Sequence, residues 1–333
     1  MKAAVLEGDN RVRVQEVPEP QAGERALVRV RRAGLCGTDL KIASGGIPVR
    51  HPLIIGHEMV GTVVAAGARG LVAEGARVLV DPGIACGRCD LCRRDLGYLC
   101  REGALMGRDV DGGLAELVAV DELQLHPLPG MISDDATALL QVLATCVHAQ
   151  TKVDVFPGQA AVVVGLGVAG MLHVQLLKAR GISTIVGVTR SASKRALATR
   201  LGASAVASPA EAPAVVAEAT GGRGPELVVE AAGTAETLTQ AIELATFGAT
   251  VLVFGIVAAA ERLPTYQLYF KELTLSNPRA ARPRDYARAV QLAGAGALLL
   301  EPLLSATYGL DQAPQALDAC KQPAQLKVAL AIG

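Results

Sequence analysis

The sequence predicts a two-domain α/β protein, with a β-rich first part and a doubly wound parallel sheet in the second part. Three observations predict this fold class. The 333 residues exceed the length at which one hydrophobic core usually divides into two. Glycine and proline interrupt short alternating apolar runs up to about residue 120, whereas strand-like and helix-like segments alternate regularly after residue 158.

The composition indicates a folded chain with an aliphatic core. Hydrophobic residues make up 51% of the chain and charged residues 19%, which excludes intrinsic disorder. Aromatic residues make up only 3%, so we expect alanine, valine and leucine to fill the core. The 32 basic and 32 acidic residues cancel, so the sequence predicts neither nucleic-acid binding nor attachment to an anionic membrane.

The amino terminus predicts a cytoplasmic protein. Residues 1–17 alternate charged and apolar side chains and lack the hydrophobic stretch of a signal peptide. The uncharged run 159–177 contains three glycines at turn spacing, so we interpret it as a strand and a helix, not a membrane span. In a reducing compartment the seven cysteines are expected to be metal ligands or core residues, not disulfides.

The β-rich part contains short alternating runs joined by long loops. Three predicted strands are 26–30, 60–64 and 77–80. Ser133 is then the predicted N-cap of a helix that continues to residue 152, with Asp134 and Asp135 at the positive end of its dipole. We expect this helix to connect the two domains.

The second part alternates predicted strands and helices. In chain order these are strand 161–164, helix 170–180, strand 184–188, helix 193–201, strand 227–230, helix 237–245 and strand 250–254. Repeated strand and helix units form right-handed crossovers, so we expect a parallel sheet covered on both faces. A helix at 284–294 and the final segment 325–333 are too short for a third domain and should pack on one of the first two.

Four cysteines form a compact motif. Cys86, Cys89, Cys92 and Cys100 follow one another at spacings of three, three and eight residues. Four thiolates close a tetrahedral zinc shell and leave no open position. The motif therefore predicts a structural zinc ion.

A glycine motif follows the first strand of the second part. Gly165 turns the chain, Gly167 admits a pyrophosphate to the start of the next helix, and Gly170 completes the spacing. Val168 and Ala169 lie between the last two glycines. The flanking strand and helix supply the context this motif requires, so it predicts dinucleotide binding.

The end of the next strand indicates which dinucleotide binds. An acidic residue there would hold a ribose 2′-hydroxyl, but the strand ends at Thr189 and continues with Arg190 and Ser191. Lys194 and Arg195 follow on the first turn of the helix. A 2′-phosphate would meet cations here, so NADP(H) is favoured over NAD(H), although these bases are also typical of a solvated helix surface.

The β-rich part offers a second pair of metal ligands. Cys36 lies in the segment GLCGTDLK and His57 in the segment PLIIGHE. A thiolate and an imidazole are good zinc ligands and would leave room for a substrate. Two such residues 21 positions apart are a weak signal alone, since either is more often packed in a core.

Together these motifs resemble the zinc-containing medium-chain alcohol dehydrogenases. The resemblance extends over essentially the whole chain and includes the GxCGTD stretch at 34–39, GHE at 56–58, the four-cysteine motif, the glycine motif and the closing KVAL. It implies a GroES-like catalytic domain made of residues 1–142 and 278–333, with the structural zinc lobe at 86–100. Residues 143–277 would form a Rossmann domain.

The resemblance also implies roles for individual residues. Cys36 and His57 would bind the catalytic zinc, with Glu58 at or near the metal as an alternative ligand. Asp39 would accept the other ring N–H of His57 and fix its tautomer. Thr38 would pass on the proton of the substrate.

Two further residues are placed near the cofactor by the resemblance. Thr145 would lie against the nicotinamide, and Lys327 would lie near the phosphates. Lys41 stands where the family often ends its proton relay with histidine, so it would either take a proton or contact the cofactor ribose.

One departure concerns the catalytic metal. The family's third protein ligand is usually Cys, Glu or Asp, whereas this chain has Gln141, and a neutral amide is a poor zinc ligand beside a carboxylate. Glu58, a water molecule or Gln141 would complete the shell, with Cys146 as a less favoured alternative. The metal is therefore expected to be held more weakly.

The implied function is reversible oxidation of an alcohol to a ketone or aldehyde, with two zinc ions per chain and a homodimeric or homotetrameric assembly. One alternative is an NADPH-dependent quinone or enone reductase without catalytic zinc, which Gln141 would suit. The other is a non-catalytic module that binds zinc or a dinucleotide. Residues 42–55 and 264–271 are expected to border a small-molecule pocket, and His126, His148 and His173 are expected to be structural or surface residues.

Overall fold

The computed structural model describes residues 1–257 and 263–333, which form two compact units. Unit 1 contains Met1–Ala144, Ala280–Gly296 and Leu300–Gly333. Unit 2 contains Thr145–Arg279 and Ala297–Leu299. Unit 1 is therefore built from segments that lie on both sides of unit 2 in the sequence.

Short strands dominate the first segment of the chain. They are β1 (Lys2–Leu6), β2 (Val12–Glu16), β3 (Ala26–Leu35), β4 (Leu53–Ile54), β5 (Glu58–Ala65), β6 (Arg77–Val80), β7 (Gly83–Ile84), β8 (Ala104–Leu105), β9 (Leu117–Val120) and β10 (Leu125–Pro127). The helices are α1 (Gly37–Ala43), α2 (Asp90–Arg93), α3 (Asp134–Thr137) and α4 (Leu140–Gln150). The strand predictions at 26–30, 60–64 and 77–80 are confirmed.

Strands and helices alternate in unit 2. They are β11 (Ala160–Val164), α5 (Val168–Ala179), β12 (Thr184–Val188), α6 (Ala192–Leu201), β13 (Ala205–Ala207), α7 (Ala212–Ala219), β14 (Leu227–Glu230), α8 (Ala235–Leu244), β15 (Thr250–Val253), α9 (Thr265–Phe270) and β16 (Thr274–Ser276). The strands form one parallel sheet in the order β13-β12-β11-β14-β15-β16. This is the predicted doubly wound Rossmann topology, although β13, α7, α9 and β16 were not predicted from the sequence.

The final segment completes a sheet of unit 1. It contains α10 (Pro283–Gly294), β17 (Leu304–Gly309), α11 (Ala313–Cys320) and β18 (Lys327–Ala331). The largest sheet runs β10-β6-β5-β3-β18-β17, with β9 also paired to β3. Because β18 pairs with β3, Val328 lies opposite Leu35. The last strand thereby comes next to the segment that begins at Cys36.

The helix predicted from 133 to 152 is two helices, α3 and α4. Ser133 is the N-cap as predicted, since its Oγ accepts a hydrogen bond of 3.2 Å from the N–H of Ala136. The Thr137 hydroxyl donates to the Asp134 carbonyl at 2.6 Å. That carbonyl would accept the next N–H in a continued helix, so the side chain competes with helix extension and the prediction of one continuous helix was wrong.

Both cores are aliphatic, as predicted. The unit 2 core is rich in valines from β11, β12, β14 and β15, and unit 1 packs Val, Leu, Ile, Ala and Met side chains. In the described part of the chain, no helix has the length and apolar character needed to cross a bilayer.

Three histidines lie inside the fold. His148 and His173 are fully buried, and the His126 ring stacks on Tyr286 with the ring centroids 5.0 Å apart. Burial lowers the pKa of His126 to about 4 and that of His173 to about 3. These histidines have structural surroundings, in agreement with the expectation for them.

Candidate functional site

The four-cysteine motif brings its sulfur atoms together. Cys89 Sγ lies 3.5 Å from Cys92 Sγ and 3.8 Å from Cys100 Sγ, and Cys86 Sγ lies 3.9 Å from Cys92 Sγ. In a tetrahedral shell with Zn–S bonds of about 2.3 Å, neighbouring sulfurs are about 3.8 Å apart. These three separations match such a shell, and all four sulfurs lie within 4.8 Å of one another, so the thiols can hold a zinc ion.

Local backbone structure prepares these thiols for metal binding. Cys89 is the N-cap of α2, and its own N–H donates to Cys86 Sγ at 3.4 Å. A hydrogen bond from the Cys92 N–H lowers the pKa of the Cys89 thiol to about 6. Backbone donors thus favour the thiolate form of Cys89, which is the form that binds zinc, whereas burial raises the pKa of the Cys92 thiol to about 12.

Cys36 and His57 also face each other. Cys36 Sγ lies 3.2 Å from His57 Nε2, close to the separation of about 3.5 Å expected for a sulfur and a nitrogen on one tetrahedral zinc ion. Cys36 precedes α1 as its N-cap, and Asp39 in the first turn accepts the Cys36 N–H at 2.9 Å. His57 directly precedes β5. One short helix and one strand end thus position the two predicted ligands.

The carboxylate of Asp39 lies next to Nδ1 of the His57 imidazole, whereas Cys36 lies next to Nε2. Its Oδ1 lies 3.3 Å from His57 Nδ1, and the Asp39 side chain is fully buried. Burial opposes charge on both groups, but their mutual attraction outweighs it and lowers the pKa of Asp39, while Asp39 and Cys36 raise the pKa of His57. This arrangement presents Nε2 toward the metal position.

Glu58 completes a group of three ligand atoms with Cys36 and His57, all within 4.8 Å of one another. The Lys327 ammonium donates to Glu58 Oε2 at 2.5 Å and to the Leu35 carbonyl at 3.2 Å. Lys327 is 3% exposed. The partners of Lys327 in the structure are therefore Glu58 and the Leu35 carbonyl. The resemblance had placed this lysine near the cofactor phosphates instead.

Gln141 lies beside a buried tyrosine. The hydroxyl of Tyr286 interacts with both Gln141 and Asp81, and the charge of Glu58 also acts on it. Burial is the main cause that raises the pKa of Tyr286, and burial raises the pKa of Asp81 to about 6. Tyr286 and Asp81 were not predicted from the sequence, because neither belongs to a motif and only the folded chain brings them to Gln141.

The other residues predicted to lie near Cys36 and His57 differ in their burial and in their contacts. Thr38 is half-buried and its N–H donates to Cys36 Sγ at 3.2 Å, whereas Lys41 is exposed on α1. In the segment expected to border a pocket, Leu53 and Ile55 belong to the core of unit 1. Pro48, Val49 and Arg50 of the same segment line a cavity, so the substrate pocket expected there stays a prediction. Cys146 belongs to unit 2, where its thiol lies 3.9 Å from the Ala169 carbonyl.

The glycine motif forms the expected turn between β11 and α5. Gly165 has φ +94°, and a Cβ there would lie 2.7 Å from the Ala232 nitrogen. A Cβ at Gly170 would collide with the Gly165 carbonyl oxygen. Gly167 is the N-cap of α5, and Val168 and Ala169 form its first turn. The free N–H groups at this helix start can receive a phosphate.

The basic residues lie at the end of β12. Ser191 caps α6 by accepting the Lys194 N–H at 3.4 Å. Arg195 donates to the Thr189 carbonyl at 2.8 Å and to the Arg190 carbonyl at 3.1 Å. The side chain of Arg190 is exposed. Thr145, the first residue of unit 2, is half-buried on α4.

Comparison with known proteins identifies the family. Residues 22–130 match the alcohol dehydrogenase GroES-like domain, and residues 168–295 match the zinc-binding dehydrogenase family. An alcohol dehydrogenase from Thermus sp. ATN1 is 31% identical, with a TM-score of 0.92 and full coverage of both chains. The chain belongs to the zinc-binding medium-chain alcohol dehydrogenases. The predicted family and fold class are therefore confirmed.

Two further relatives extend the comparison. A protein from Sinorhizobium meliloti, assigned as a zinc-binding dehydrogenase and solved with bound NADP, is 34% identical, with a TM-score of 0.92 and coverage of 99% of this chain and 98% of that chain. D-xylulose reductase A of Aspergillus oryzae is 28% identical and covers 98% of this chain and 95% of its own.

As a zinc-binding alcohol dehydrogenase, the protein is an NAD(P)-dependent oxidoreductase. Its thiol cluster and its Cys36, His57 and Glu58 group can each hold a zinc ion. The predicted enzyme class and the two zinc sites agree with this membership, whereas the non-catalytic alternative does not.

Proposed function

We propose that this alcohol dehydrogenase interconverts an alcohol and a ketone or aldehyde, with NADP(H) as the preferred cofactor and with zinc at Cys36 and His57. The observation that carries the proposal is the 3.2 Å approach of Cys36 Sγ to His57 Nε2, with Asp39 behind the imidazole. This is the ligand set of an open zinc site and not of a closed structural one.

The residues around Cys36 and His57 would each have a separate role in the reaction. When bound, the zinc ion supplies Lewis acidity that polarises the oxygen of the substrate. Asp39 keeps the imidazole of His57 in the tautomer that offers Nε2, and Cys36 offers its thiolate. We assign the hydroxyl of Thr38 the role of receiving the substrate proton, while Lys41, at the exposed end of α1, lies on the outward side.

The choice among the third ligands favours Gln141 or water. Glu58 already receives the ammonium of Lys327, which competes with a metal ion for the same carboxylate. The hydroxyl of Tyr286 can accept from the amide nitrogen of Gln141 while it donates to Asp81, and the amide oxygen of Gln141 would then be available to the metal.

The preference for NADP(H) is supported by the end of β12. Thr189 and Ser191 supply no carboxylate there, and Arg190, Lys194 and Arg195 supply positive charge. A guanidinium suits a 2′-phosphate better than a 2′-hydroxyl. The NADP-bound relative supports the same choice.

Self-association and a cytoplasmic location also belong to the proposal. The exposed aromatic side chains of Phe247, Tyr266 and Phe270 pack on one another at centroid distances of 5.6 Å near the edge strand β16. A homodimer or homotetramer would cover such a surface. A reducing compartment would keep the zinc-binding thiols reduced.

Metal analysis combined with kinetics tests the zinc assignment. We expect two zinc ions per chain, and expect Cys36→Ser and His57→Ala each to lose one ion and about a thousandfold or more in kcat with ketones and alcohols. Cys320→Ser, outside both metal groups, should keep both ions and full activity. One zinc per unmodified chain, with NADPH oxidation by quinones or enones that ignores both substitutions, would instead establish the reductase alternative.

Cofactor preference has its own test. Arg190→Ser and Lys194→Ser should each lower the ratio of kcat/KM for NADP to kcat/KM for NAD by roughly tenfold, because each removes a cation near the expected 2′-phosphate. Arg200→Ser, an exposed residue at the other end of α6, should leave the ratio unchanged. An unmodified enzyme that prefers NAD would contradict the proposed preference.

A further inference from the structure

Glu230 is a buried carboxylate at the carboxyl end of β14. It is 0% exposed, and its Oε1 accepts three hydrogen bonds of 2.8 Å, from the N–H groups of Ala232 and Gly233 and from the Thr237 hydroxyl. Its Oε2 has no hydrogen-bond partner among the described residues. A buried carboxylate is costly unless it is satisfied. Here all three donors come from the loop and first helical turn that follow the strand.

The loop that Glu230 organises, residues 231–234, will be called the β14 loop. It lies directly against the glycine motif, since a Cβ at Gly165 would be 2.7 Å from the Ala232 nitrogen and 2.8 Å from the Ala232 Cβ. The N–H of Ala231 also donates to the Val164 carbonyl at 2.8 Å. A displacement of the β14 loop would therefore press on the turn at Gly165.

The opposite side of the β14 loop lies against Gly255, two residues after the end of β15. Gly233 has φ +79°, and a Cβ at Gly255 would collide with both Gly233 and the Glu230 carboxylate. The N–H of Gly255 donates to the Glu230 carbonyl at 3.0 Å. The side chain of Glu230 thus lies between the carboxyl ends of β14 and β15, and it sets the position of the loop that leads from β14 into α8.

The position of the β14 loop in the doubly wound sheet is one where ligands are expected to bind. The strand order places β11 between β12 and β14, so the chain changes direction across the sheet between β11 and β14. Ligands of such sheets bind in the crevice outside the carboxyl ends at this switch point. The glycine motif forms one wall of that crevice, and the β14 loop forms the other.

We propose that Glu230 is a positioning residue for the dinucleotide, which it does not touch, and that it acts by holding the β14 loop in the conformation that the cofactor meets. The inference rests on the proposed function for the identity of the ligand, NADP(H). Charge-assisted hydrogen bonds to one carboxylate oxygen hold two backbone N–H groups and one hydroxyl in a fixed relation. Loss of that oxygen would free the loop without removing any contact to the ligand.

Glu226 is a matched control, because it lies at the other end of the same strand. Glu226 directly precedes β14, and its Oε2 accepts the N–H of Ala160 at 2.8 Å, at the amino end of β11. Both glutamates bind backbone N–H groups next to the same pair of strands. Only Glu230 does so at the edge where the cofactor is expected.

The experiment compares Glu230→Ala, Glu230→Gln and Glu226→Ala. NADPH binding is titrated by the fluorescence of the reduced nicotinamide, with Tm measured in parallel. Glu230→Ala should raise the Kd and the KM for NADPH about tenfold, with a smaller change in kcat at saturating cofactor. Glu230→Gln keeps an acceptor oxygen and should stay within about threefold of the unmodified protein. Glu226→Ala should lower the Tm and leave the Kd unchanged.

The outcomes separate the inference from the proposed function. A Glu230→Ala protein with an unchanged Kd, or a Glu226→Ala protein with the same loss of affinity, would overturn the inference alone. Failure of the unmodified protein to bind NADPH or NADH would overturn the proposed function and the inference with it. If Glu230→Ala does not fold, Thr237→Val removes one donor and should raise the Kd about threefold, whereas Thr246→Val, remote from the loop, should not.

Discussion

Lys327 donates a hydrogen bond of 2.5 Å to Glu58, and the two side chains are 3% and 4% exposed. The residues are 269 positions apart, on β18 and at the start of β5. Pairing of β18 with β3 brings the lysine to this place. The last strand of the chain therefore supplies the counter-charge for an acidic residue beside the candidate catalytic metal.

Removal of Lys327 should lower the free energy of unfolding, because the folded protein depends on the pair of Lys327 and Glu58. Lys327→Met leaves the Glu58 carboxylate buried without a counter-charge, so we expect a loss of about 3–5 kcal/mol in the free energy of unfolding, measured by urea denaturation. Lys321→Met removes a solvent-exposed pair with Asp318 and should cost less than about 1 kcal/mol. Equal losses in the two variants would show that Glu58 is not stabilised by the lysine.

The four-cysteine lobe should depend on its metal. Cys89→Ser removes one of four thiolates, and we expect the variant to lose one zinc ion per chain, to lower the Tm and to keep the zinc bound at Cys36. Inductively coupled plasma mass spectrometry and thermal unfolding monitored by circular dichroism measure these effects. Retention of both ions in Cys89→Ser would argue against the assignment, since a structural zinc site binds through all four sulfurs.

Gln141 should set the lifetime of the metal at Cys36 and His57. Gln141→Glu replaces a neutral amide oxygen with a carboxylate of the same shape, so we expect zinc release to a chromogenic chelator to slow about tenfold. Gln291→Glu, an exposed residue on α10, should not change the release rate. Unchanged release from Gln141→Glu would show that residue 141 does not bind the metal and that water completes the shell.

His173 should make stability depend on pH. Burial lowers its folded pKa to about 3, and Gln150 Nε2, which can only donate, lies 3.2 Å from its Nδ1. In the unfolded chain the imidazole takes up a proton below about pH 6.5, whereas the folded protein does not, so stability falls as the pH falls through this value.

The matching substitution is His173→Asn, which keeps an acceptor near Nδ1 and removes the titration. Between pH 7 and pH 5 we expect the unmodified protein to lose about 2 kcal/mol more stability than this variant, measured by urea denaturation at each pH. His51→Asn, at an exposed histidine, should behave as the unmodified protein does. Parallel losses in all three proteins would assign the pH dependence to other groups.

Most of the features that could be predicted from the sequence depend on residues that lie close together along the chain. The cysteines of the zinc lobe lie within one short segment, and Gly165 and Gly170 act within one turn, so their geometry follows from nearby chain. Cys36 and Asp39 share one helical turn for the same reason. The alternation of strand-like and helix-like segments, with turn residues between them, likewise predicted most strands of the parallel sheet.

Long-range pairing decided the rest. Lys327 meets Glu58, and Tyr286 meets Gln141 and Asp81, only because distant strands and helices pack in unit 1. Glu230 carries no motif, and its role depends on three donors and two glycines that the fold gathers around it. The sequence by itself determined the four-cysteine motif and the dinucleotide turn, because each depends on residues close along the chain, and it determined the family through the order of several such motifs. Tertiary structure alone decided which charges are buried together, because that depends on the order in which strands join a sheet.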